Sequence, residues 1–277
     1  MFNGWGMESV DQCDFQLSEA KQGLFRENAA ALPLPEYIEV LATQRSSYWA
    51  WGNYKVVLAD LLRIREARRV MEIGAGRFPL FDRSEIAPFG VEYIANDVDA
   101  AELARAPNEV RKACFDISAK SNGEIAQLSN SIDLTFSKMV FEHISDTTQA
   151  YQNIYELLSP NGICLNFHPV LFSLPFIINY LAPTASAEKL LQKLSPKRHR
   201  GDQPKFPAMY DRCWVSSAWR NTLRSIGYRQ VWQLPFWFHE YFSKFPGLRE
   251  CDWAINTIAE RANWTTLASY CYTIVVK

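Results

Sequence analysis

The sequence lacks the features that mark several large classes of protein. None of its six cysteines forms a C-x-x-C pair or a cysteine–histidine cluster with zinc spacing, so no metal site is predicted. The net charge of −1 provides no field that would attract nucleic acid. The N-terminal stretch contains acids and no basic segment, unlike a signal peptide. Residues 163–183 carry no Asp, Glu, Lys or Arg, but prolines and asparagines interrupt them and leave an apolar part too short to span a bilayer. These absences favour a cytoplasmic protein with reduced cysteines.

What the sequence does contain is a regular alternation of short apolar runs with polar, helix-like stretches. Strands are predicted at residues 69–73, 91–95, 112–116, 132–137 and 163–167. Helices are predicted ahead of them at 18–30, 34–44 and 46–65, and between them at 79–87, 99–105, 121–129 and 146–158. Alternation at this spacing is typical of an α/β fold with a doubly wound, mostly parallel sheet.

The alternation stops after the fifth predicted strand. Residues 170–210 form an insertion, and a helix at 216–226 with strands at 228–234 and 269–276 follows it. We therefore expect an N-terminal helical extension over 1–45 and one domain over 46–277. The insertion follows the carboxyl end of a strand, where doubly wound sheets bind ligands. Its apolar part, 170–182, is interpreted as a lid, as part of a pocket, or as an interfacial helix in peripheral contact with a membrane.

The stretch VMEIGAGRFP, residues 70–79, places two glycines directly after the first predicted strand. Gly74 and Gly76 would let a ligand approach the backbone closely. The dinucleotide fingerprint G-x-G-x-x-G/A is not completed, because Pro79 occupies its last position and lacks an N–H. Glu72, two residues before the first glycine, suits a ligand with a positive amino group and would repel phosphate. The stretch thus favours a cofactor other than a nicotinamide dinucleotide.

Acids follow the next two predicted strands. Asp97 lies at the end of the second strand, where an acid that binds ribose hydroxyls is expected, and Asp99 is its close competitor. Asp116 ends the third strand and could accept a hydrogen bond from an adenine amino group, with Ile117 on the ring face. Because the carboxyl ends of parallel strands share one edge, this ordered set predicts a single adenosine-binding site.

These motifs resemble those of the class I S-adenosylmethionine-dependent methyltransferases. EIGAG resembles their first motif, NDVD their second-strand acid and FDIS their adenine motif. IDLTFSKMVFEHI resembles their fourth strand with the E-H pair of many small-molecule methyltransferases, and LLSPNGICLNF their turn and fifth strand. The resemblance covers roughly residues 68–168. It departs at Phe78, where a third glycine is common, and at Asn161, which replaces the first glycine of the turn.

The resemblance implies a Rossmann-like sheet of seven strands, with S-adenosyl-L-methionine as cofactor and S-adenosyl-L-homocysteine as product. The implied cofactor-binding residues are Glu72, Gly74, Ala75, Gly76, Arg77, Asp97, Val98, Asp116, Ile117 and Ser137. The expected reaction is methyl transfer to O or N of a small hydrophobic or glycosylated secondary metabolite. A saccharide or lipid-linked cell-surface precursor is the alternative acceptor. A nicotinamide-dependent oxidoreductase and a non-catalytic S-adenosylmethionine-binding protein are the rival functions.

Methyl transfer to an alcohol, phenol or ammonium also needs a base that removes a proton. His143, just after the fourth strand and beside Glu142, is the first candidate, and His168 after the fifth strand is the second. The aromatic-rich C-terminal third suggests an acceptor pocket, with candidate residues Tyr210, Trp237, His239 and Tyr241. The basic cluster KRHR at 197–200 is interpreted as a solvated loop or as a phosphate-binding site.

Overall fold

A computed structural model describes residues 32–120, 123–181 and 206–277. The strands are β1 (Arg69–Ile73), β2 (Glu92–Asp97), β3 (Arg111–Cys114), β4 (Ile132–Lys138), β5 (Leu158–Pro169), β6 (Gln230–Phe236) and β7 (Tyr270–Val276). The helices are α1 (Leu34–Ala42), α2 (Ser47–Arg65), α3 (Arg83–Ile86), α4 (Ala100–Ala104), α5 (Gly123–Gln127), α6 (Thr147–Leu157), α7 (Leu174–Leu181), α8 (Ser217–Ile226) and α9 (Leu248–Arg261). Short 3₁₀ turns lie at Ala87–Phe89, Phe141–His143 and Thr265–Leu267.

The strands form one sheet in the order β3-β2-β1-β4-β5-β7-β6. Strands β1 to β5 run parallel, whereas β7 is antiparallel to both β5 and β6. The prediction of a doubly wound, mostly parallel sheet of seven strands is therefore confirmed. Strand order reverses between β1 and β4, and the carboxyl ends of strands at such a switch point border the crevice where α/β sheets bind ligands.

Element boundaries differ from the sequence-based expectations where side chains cap a helix or the backbone bulges. The helix expected at 79–87 begins only at Arg83, because Asp82 and Glu85 form a capping box with each other's backbone N–H groups. Strand β5 starts at Leu158, five residues early, with Asn161 at a φ of +65° and a register shift opposite Ile132 and Leu134. Helix α9 was not expected from the sequence.

The described part of the N-terminal extension packs on the main hydrophobic core. Tyr37, Ile38 and Leu41 of α1 are buried in that core, and the Tyr37 hydroxyl donates to Asp60 of α2 at 3.1 Å. The domain boundary at residue 46 stays a prediction. The predicted helix at 18–30 lies outside the described residues.

Helix α7 occupies the start of the insertion. It has eight residues, with Phe176 buried and Ile178, Tyr180 and Leu181 exposed. Across the described ranges, no helix combines the length and apolar character that crossing a membrane requires. The remainder of the insertion up to residue 205, which includes the KRHR cluster and its predicted phosphate site, lies outside the described residues.

Candidate active site

The loop after β1 depends on its two glycines for different reasons. Gly74 and Gly76 both have positive φ, +73° and +54°, which other residues adopt only at a cost. A Cβ on Gly74 would lie 2.4 Å from a methyl carbon of Val140, in the loop after β4. A Cβ on Gly76 would be 3.6 Å from the Asp97 carboxylate. Ala75 between them is buried and donates its N–H to the Asn96 carbonyl at 2.9 Å. The loop is thereby fixed against both β2 and β4.

Asp97 and Asp99, the two competing acids after β2, have separate roles in the structure. Asp97 is half-buried and accepts hydrogen bonds from the backbone N–H groups of Gly76 at 2.8 Å and Asp99 at 2.9 Å. Asp99 instead caps helix α4, accepting from the N–H groups of Ala101 and Glu102. The Asp99 carboxylate is therefore committed to the helix, and Asp97 is the acid that adjoins the glycine loop.

Arg77 and Phe78, the residues that depart from small side chains in the first motif, differ in burial. The Arg77 guanidinium is nearly buried and pairs with Glu102 of α4 through two nitrogens. Phe78 is exposed. The side chain of Arg77 thus anchors the loop to α4, so a cofactor contact from this residue would have to come from its backbone. No sequence pattern pointed to the Glu102 partner.

The third strand end supplies an exposed carboxylate. Asp116 accepts from the backbone N–H of Ser118 at 2.8 Å and from its hydroxyl at 2.7 Å. Ile117 is buried in the main core, and its carbonyl accepts from Asn153 at 2.7 Å. Val98, at the end of β2, is exposed. Ile117, predicted to lie on the adenine ring face, is thus enclosed by the core, whereas Val98, another predicted cofactor-binding residue, has an open face.

Glu72 is buried within β1 and already has two donors. Its Oε2 accepts from the backbone N–H of Leu80 at 2.8 Å and from the Tyr93 hydroxyl. Burial raises the pKa of Glu72 to about 7, while those donors and the charges of Lys55 and Lys138 oppose the rise. The carboxyl therefore holds the loop after β1 in place, and its predicted contact with an amino group stays a prediction.

Ser137 is part of a buried polar network at the end of β4. Its hydroxyl donates to the buried Asn166 of β5 at 2.8 Å. The side-chain amide of Asn166 in turn donates to the Tyr151 hydroxyl at 2.9 Å. The Tyr54 hydroxyl of α2 donates to the Ser137 carbonyl at 2.6 Å. The Ser137 side chain thus ties strands together. Asn166 was not among the predicted site residues, although a lone Asn in the apolar run ICLNF signals a buried polar contact.

His143 combines a fixed ring with an accessible nitrogen. It ends the 3₁₀ turn after β4, and its side chain is 34% exposed. Its Nδ1–H donates to the Pro207 carbonyl at 3.0 Å, so the neutral ring carries its lone pair on Nε2. Nε2 lies 3.9 Å from Oε1 of Glu142. Glu142 is buried, its Oε2 lacks a partner among the described residues, and burial raises its pKa to about 8.

His168 has neither nitrogen available. The ring is buried, its Nδ1–H donates to the Pro169 carbonyl at 3.0 Å, and Nε2 accepts from the Thr273 hydroxyl of β7 at 2.9 Å. Burial lowers the pKa of His168 to about 4. The second candidate base is therefore held as a neutral ring that joins β5 to β7.

Two of the four predicted pocket residues are enclosed in protein rather than grouped with the others. Trp237 is completely buried in a small cluster with Val170 and Val215, and Arg45 covers its ring at 4.3 Å. The His239 side chain is 1% exposed and lies 3.2 Å from the Asp252 carboxylate. These positions do not support a pocket role for either side chain.

Tyr210, which is also buried, and the half-buried Tyr241 meet around α7. Phe176 packs against Tyr210 at a ring-centroid distance of 6.1 Å, against Tyr241 at 5.4 Å and against Tyr270 at 5.5 Å. The backbone N–H groups of Met209 and Tyr210 donate to the Glu142 carbonyl, which brings this aromatic group beside His143. We call Phe176, Tyr210, Tyr241 and Tyr270 the aromatic group below.

The carboxyl edge of the sheet fits the cofactor implied by the resemblance. The exposed Gly74 opens the loop after β1, Asp97 adjoins it, and Asp116 is exposed beyond the next strand. These carboxylates are hydrogen-bond acceptors of the kind that ribose hydroxyls and an adenine amino group require. In the described ranges, no group of three or more His, Cys, Asp or Glu side chains is arranged to hold a metal ion.

A known family model matches the region that holds these residues. Residues 71–164 match the sequence model of a family described as a methyltransferase domain. No curated protein matches the chain. A SAM-dependent methyltransferase from Archaeoglobus fulgidus is similar in structure, with 17% identity, a TM-score of 0.47, and coverage of 83% of this chain and 99% of that one.

Two further solved structures are similar over parts of larger chains. For phosphoethanolamine N-methyltransferase 2 from Haemonchus contortus, the identity is 15% and the TM-score 0.45, with coverage of 76% of this chain and 48% of that one. For the CMeT domain of citrinin polyketide synthase, the identity is 16% and the TM-score 0.49, with coverage of 94% of this chain and 63% of that one. The family match spans β1 to the middle of β5, the region that holds every predicted cofactor residue. The match indicates a methyltransferase domain over residues 71–164, and S-adenosyl-L-methionine is the cofactor of that domain.

Proposed function

We propose that this methyltransferase transfers a methyl group to an oxygen or nitrogen of a small, largely apolar acceptor, with His143 as the general base. The observation that carries the proposal is the accessible Nε2 of His143. Of the histidines that the structure describes, His168 has both nitrogens bonded within the fold and His239 is almost fully enclosed. His143 alone among these three presents a lone pair at the carboxyl edge of the sheet.

The ring of His143 is held by contacts that suit a base. The bond from Nδ1–H to the Pro207 carbonyl fixes the tautomer and the ring orientation. Glu142 lies 3.9 Å from Nε2, and burial raises its pKa to about 8, so it is mostly protonated at neutral pH and would ionise to stabilise a proton taken up by His143. Glu142 is thus proposed as a positioning residue for the imidazolium form rather than as the base itself.

The aromatic group supports an apolar acceptor. Phe206 lies 6.3 Å from the His143 ring by centroid distance. Tyr210, whose N–H donates to the Glu142 carbonyl, packs against Phe176 of α7. Exposed apolar side chains surround this region: Phe172, Ile178, Tyr180, Leu181, Phe206 and Met209. Exposed apolar side chains beside a catalytic edge favour a binding site for an apolar ligand.

The side chains of the protein have few chemical roles in this reaction. Bound S-adenosylmethionine supplies a methyl group that is already activated by its sulfonium. The residues of the chain then have to orient the acceptor against that methyl group, exclude water, and remove the acceptor proton. Nε2 of His143 takes the proton, and the aromatic group orients the acceptor and excludes water.

The test is the His143→Gln variant assayed with labelled S-adenosylmethionine against a panel of phenols, alcohols and amines. Gln keeps an amide donor for the Pro207 carbonyl but has no basic nitrogen. We expect kcat to fall roughly 10²-fold to 10⁴-fold, with the affinity for S-adenosylhomocysteine changed by less than about 3-fold. An unchanged kcat would refute the role of His143 and leave the methyltransferase assignment intact.

Thr273→Val is the matched control at the other histidine. It removes the hydroxyl that donates to Nε2 of His168 and leaves that buried nitrogen without a partner. We expect a loss of about 1–3 kcal/mol in the free energy of unfolding, while kcat at a temperature where the variant is folded changes little. A kcat loss comparable to that of His143→Gln would transfer the base role to His168.

A further inference from the structure

Lys138, the last residue of β4, carries a positive charge that the fold does not neutralise. Among the described residues its ammonium makes no hydrogen bond and no ion pair. Its recorded contacts are with the faces of two rings of α2, Trp51 at 4.6 Å and Tyr54 at 5.6 Å from the ring centroids. An ammonium group has three donors, and ring faces hold the charge without using the geometry of those donors.

The position of Lys138 places this charge at the catalytic edge. It follows Ser137 directly, and Val140, two residues later, contacts the Gly74 loop. On β5 its register partner is Phe167. The side chain lies on the sheet face covered by α2, opposite to Ser137, whose hydroxyl joins the network of Asn166. Lys138 therefore lies between the loop expected to hold the cofactor and the strands that lead to the acceptor side.

A continuous series of rings connects Lys138 to the aromatic group. Trp51, under the ammonium, packs edge-on against Tyr270 at 5.5 Å, and Tyr270 packs against Phe176 at 5.5 Å. Phe176 in turn contacts both Tyr210 and Tyr241. The unpaired ammonium thus lies at one end of a packed, largely buried series of rings, and Tyr210 at the other end is bonded to the Glu142 carbonyl beside His143.

The other charged groups near Lys138 form no ion pair with its ammonium among the described residues. Lys55 of α2 repels it and is itself paired with Glu85 at 2.7 Å. Glu72 of β1 attracts it but takes its hydrogen bonds from Leu80 and Tyr93. Partial burial and the neighbouring Lys55 lower the pKa of Lys138 to about 8, so the ammonium form predominates at neutral pH.

We propose that Lys138 is a specificity-determining residue that pairs with a carboxylate or phosphate group of the acceptor, and that the acceptor is an aromatic or apolar anion. This inference rests on the proposed function, because both place the acceptor along the aromatic group. A partly buried, otherwise unpaired cation next to an apolar surface selects a ligand that offers one anionic group and an apolar body.

The experiment measures binding of three probes to the protein saturated with S-adenosylhomocysteine: benzoate, phenyl phosphate and benzyl alcohol. Ligand-observed NMR gives each dissociation constant. We expect benzoate or phenyl phosphate to bind roughly 10-fold to 100-fold more tightly than benzyl alcohol, and the tighter of the two anions identifies the group. Lys138→Met should abolish this preference while benzyl alcohol still binds, and Lys138→Arg should retain it. Lys55→Met is the matched control, because it removes a nearby lysine that is already paired.

A second measurement keeps a cationic side chain at position 138 and varies the pH. In the wild type, the preference for the anion should fall as pH rises through about 8, as the ammonium loses its proton. In Lys138→Arg it should stay constant there, because a guanidinium keeps its charge, which separates the effect of Lys138 from that of Glu72. Equal binding of anion and alcohol by the wild type would overturn the proposal.

Two further results would overturn it in distinguishable ways. If Lys138→Met weakened S-adenosylhomocysteine but not methylthioadenosine, which lacks the amino-acid part, the charge would serve the cofactor. If Lys138→Met weakened all three probes equally, the side chain would only support packing. Failure of every probe to bind the wild type would remove the acceptor surface itself, and with it the proposed function.

Discussion

Gly74→Ala should destabilise the protein more than an ordinary glycine substitution in a turn. At a φ of +73°, an alanine costs about 1–2 kcal/mol from backbone conformation alone. Its Cβ would also lie 2.4 and 2.9 Å from the two methyl carbons of Val140, so the loop after β4 has to move. Overpacking of this kind costs about 1–3 kcal/mol, which brings the expected loss in the free energy of unfolding to about 2–5 kcal/mol.

Gly90→Ala is the control for the conformational part. Gly90 has a similar φ of +62°, but no atom lies within 4 Å of a Cβ added there. Urea unfolding of both variants should therefore give a loss of about 1–2 kcal/mol for Gly90→Ala and a clearly larger one for Gly74→Ala. The difference isolates the contact with Val140.

A double-mutant cycle with Val140→Ala tests the same contact directly. Removing both methyl groups of Val140 removes the two shortest contacts and leaves only its Cβ at 3.2 Å, so Gly74→Ala introduced into Val140→Ala should cost little more than Gly90→Ala does. Affinity for S-adenosylhomocysteine should follow the same pattern, because the displaced loop adjoins Asp97. Equal losses for Gly74→Ala in both backgrounds would refute the steric argument.

The remaining predictions concern the acids. Asp97→Ala should lower the affinity for S-adenosylhomocysteine by roughly 10-fold to 100-fold, as calorimetry would measure. Asp99→Ala should instead cost about 0.5–2 kcal/mol of stability in urea unfolding, through loss of the α4 cap, and leave that affinity within about 3-fold. The reverse pattern would make Asp99 the acid that binds ribose. Burial raises the pKa of Glu142 from 4.5 to about 8, so its contribution to stability is complete below pH 4.5 and is lost as pH rises through 8. Between about pH 7, the pKa of Glu72, and pH 8, the unfolding free energy of the wild type should fall by up to about 1.4 kcal/mol per pH unit, and Glu142→Gln should remove that slope. Parallel pH profiles of the two proteins over this interval would contradict the buried state of Glu142.

The sheet and the cofactor edge could be predicted from the sequence because their signals are local. Apolar runs such as 69–73 and 132–137 identify strands by length and composition, and an acid directly after a strand is at the ligand edge wherever the sheet is parallel. Boundaries were less accurate where a side chain changes them, as Asp82 and Glu85 do by capping α3. The start of β5 was missed because Pro160 and Gly162 are typical of a turn, and here they lie in a bulged strand.

The choice among candidate side chains required the tertiary structure. The sequence shows histidines at 143, 168 and 239 and does not distinguish them, since the availability of each ring depends on partners far along the chain. His143 is oriented by Pro207 and His168 is held by Thr273. His239 is enclosed beside Asp252.

By itself, the sequence determined the α/β class, the order of the motifs and the family to which they point, because each of these depends on residues close together in the chain. Only the tertiary structure decided that Arg77 binds Glu102, that Trp237 belongs to a buried cluster, and that Lys138 lies unpaired over Trp51. The physical reason is that burial and charge neutralisation depend on contacts between separate elements, and a pattern along one strand or helix carries no information about which distant side chain will cover it.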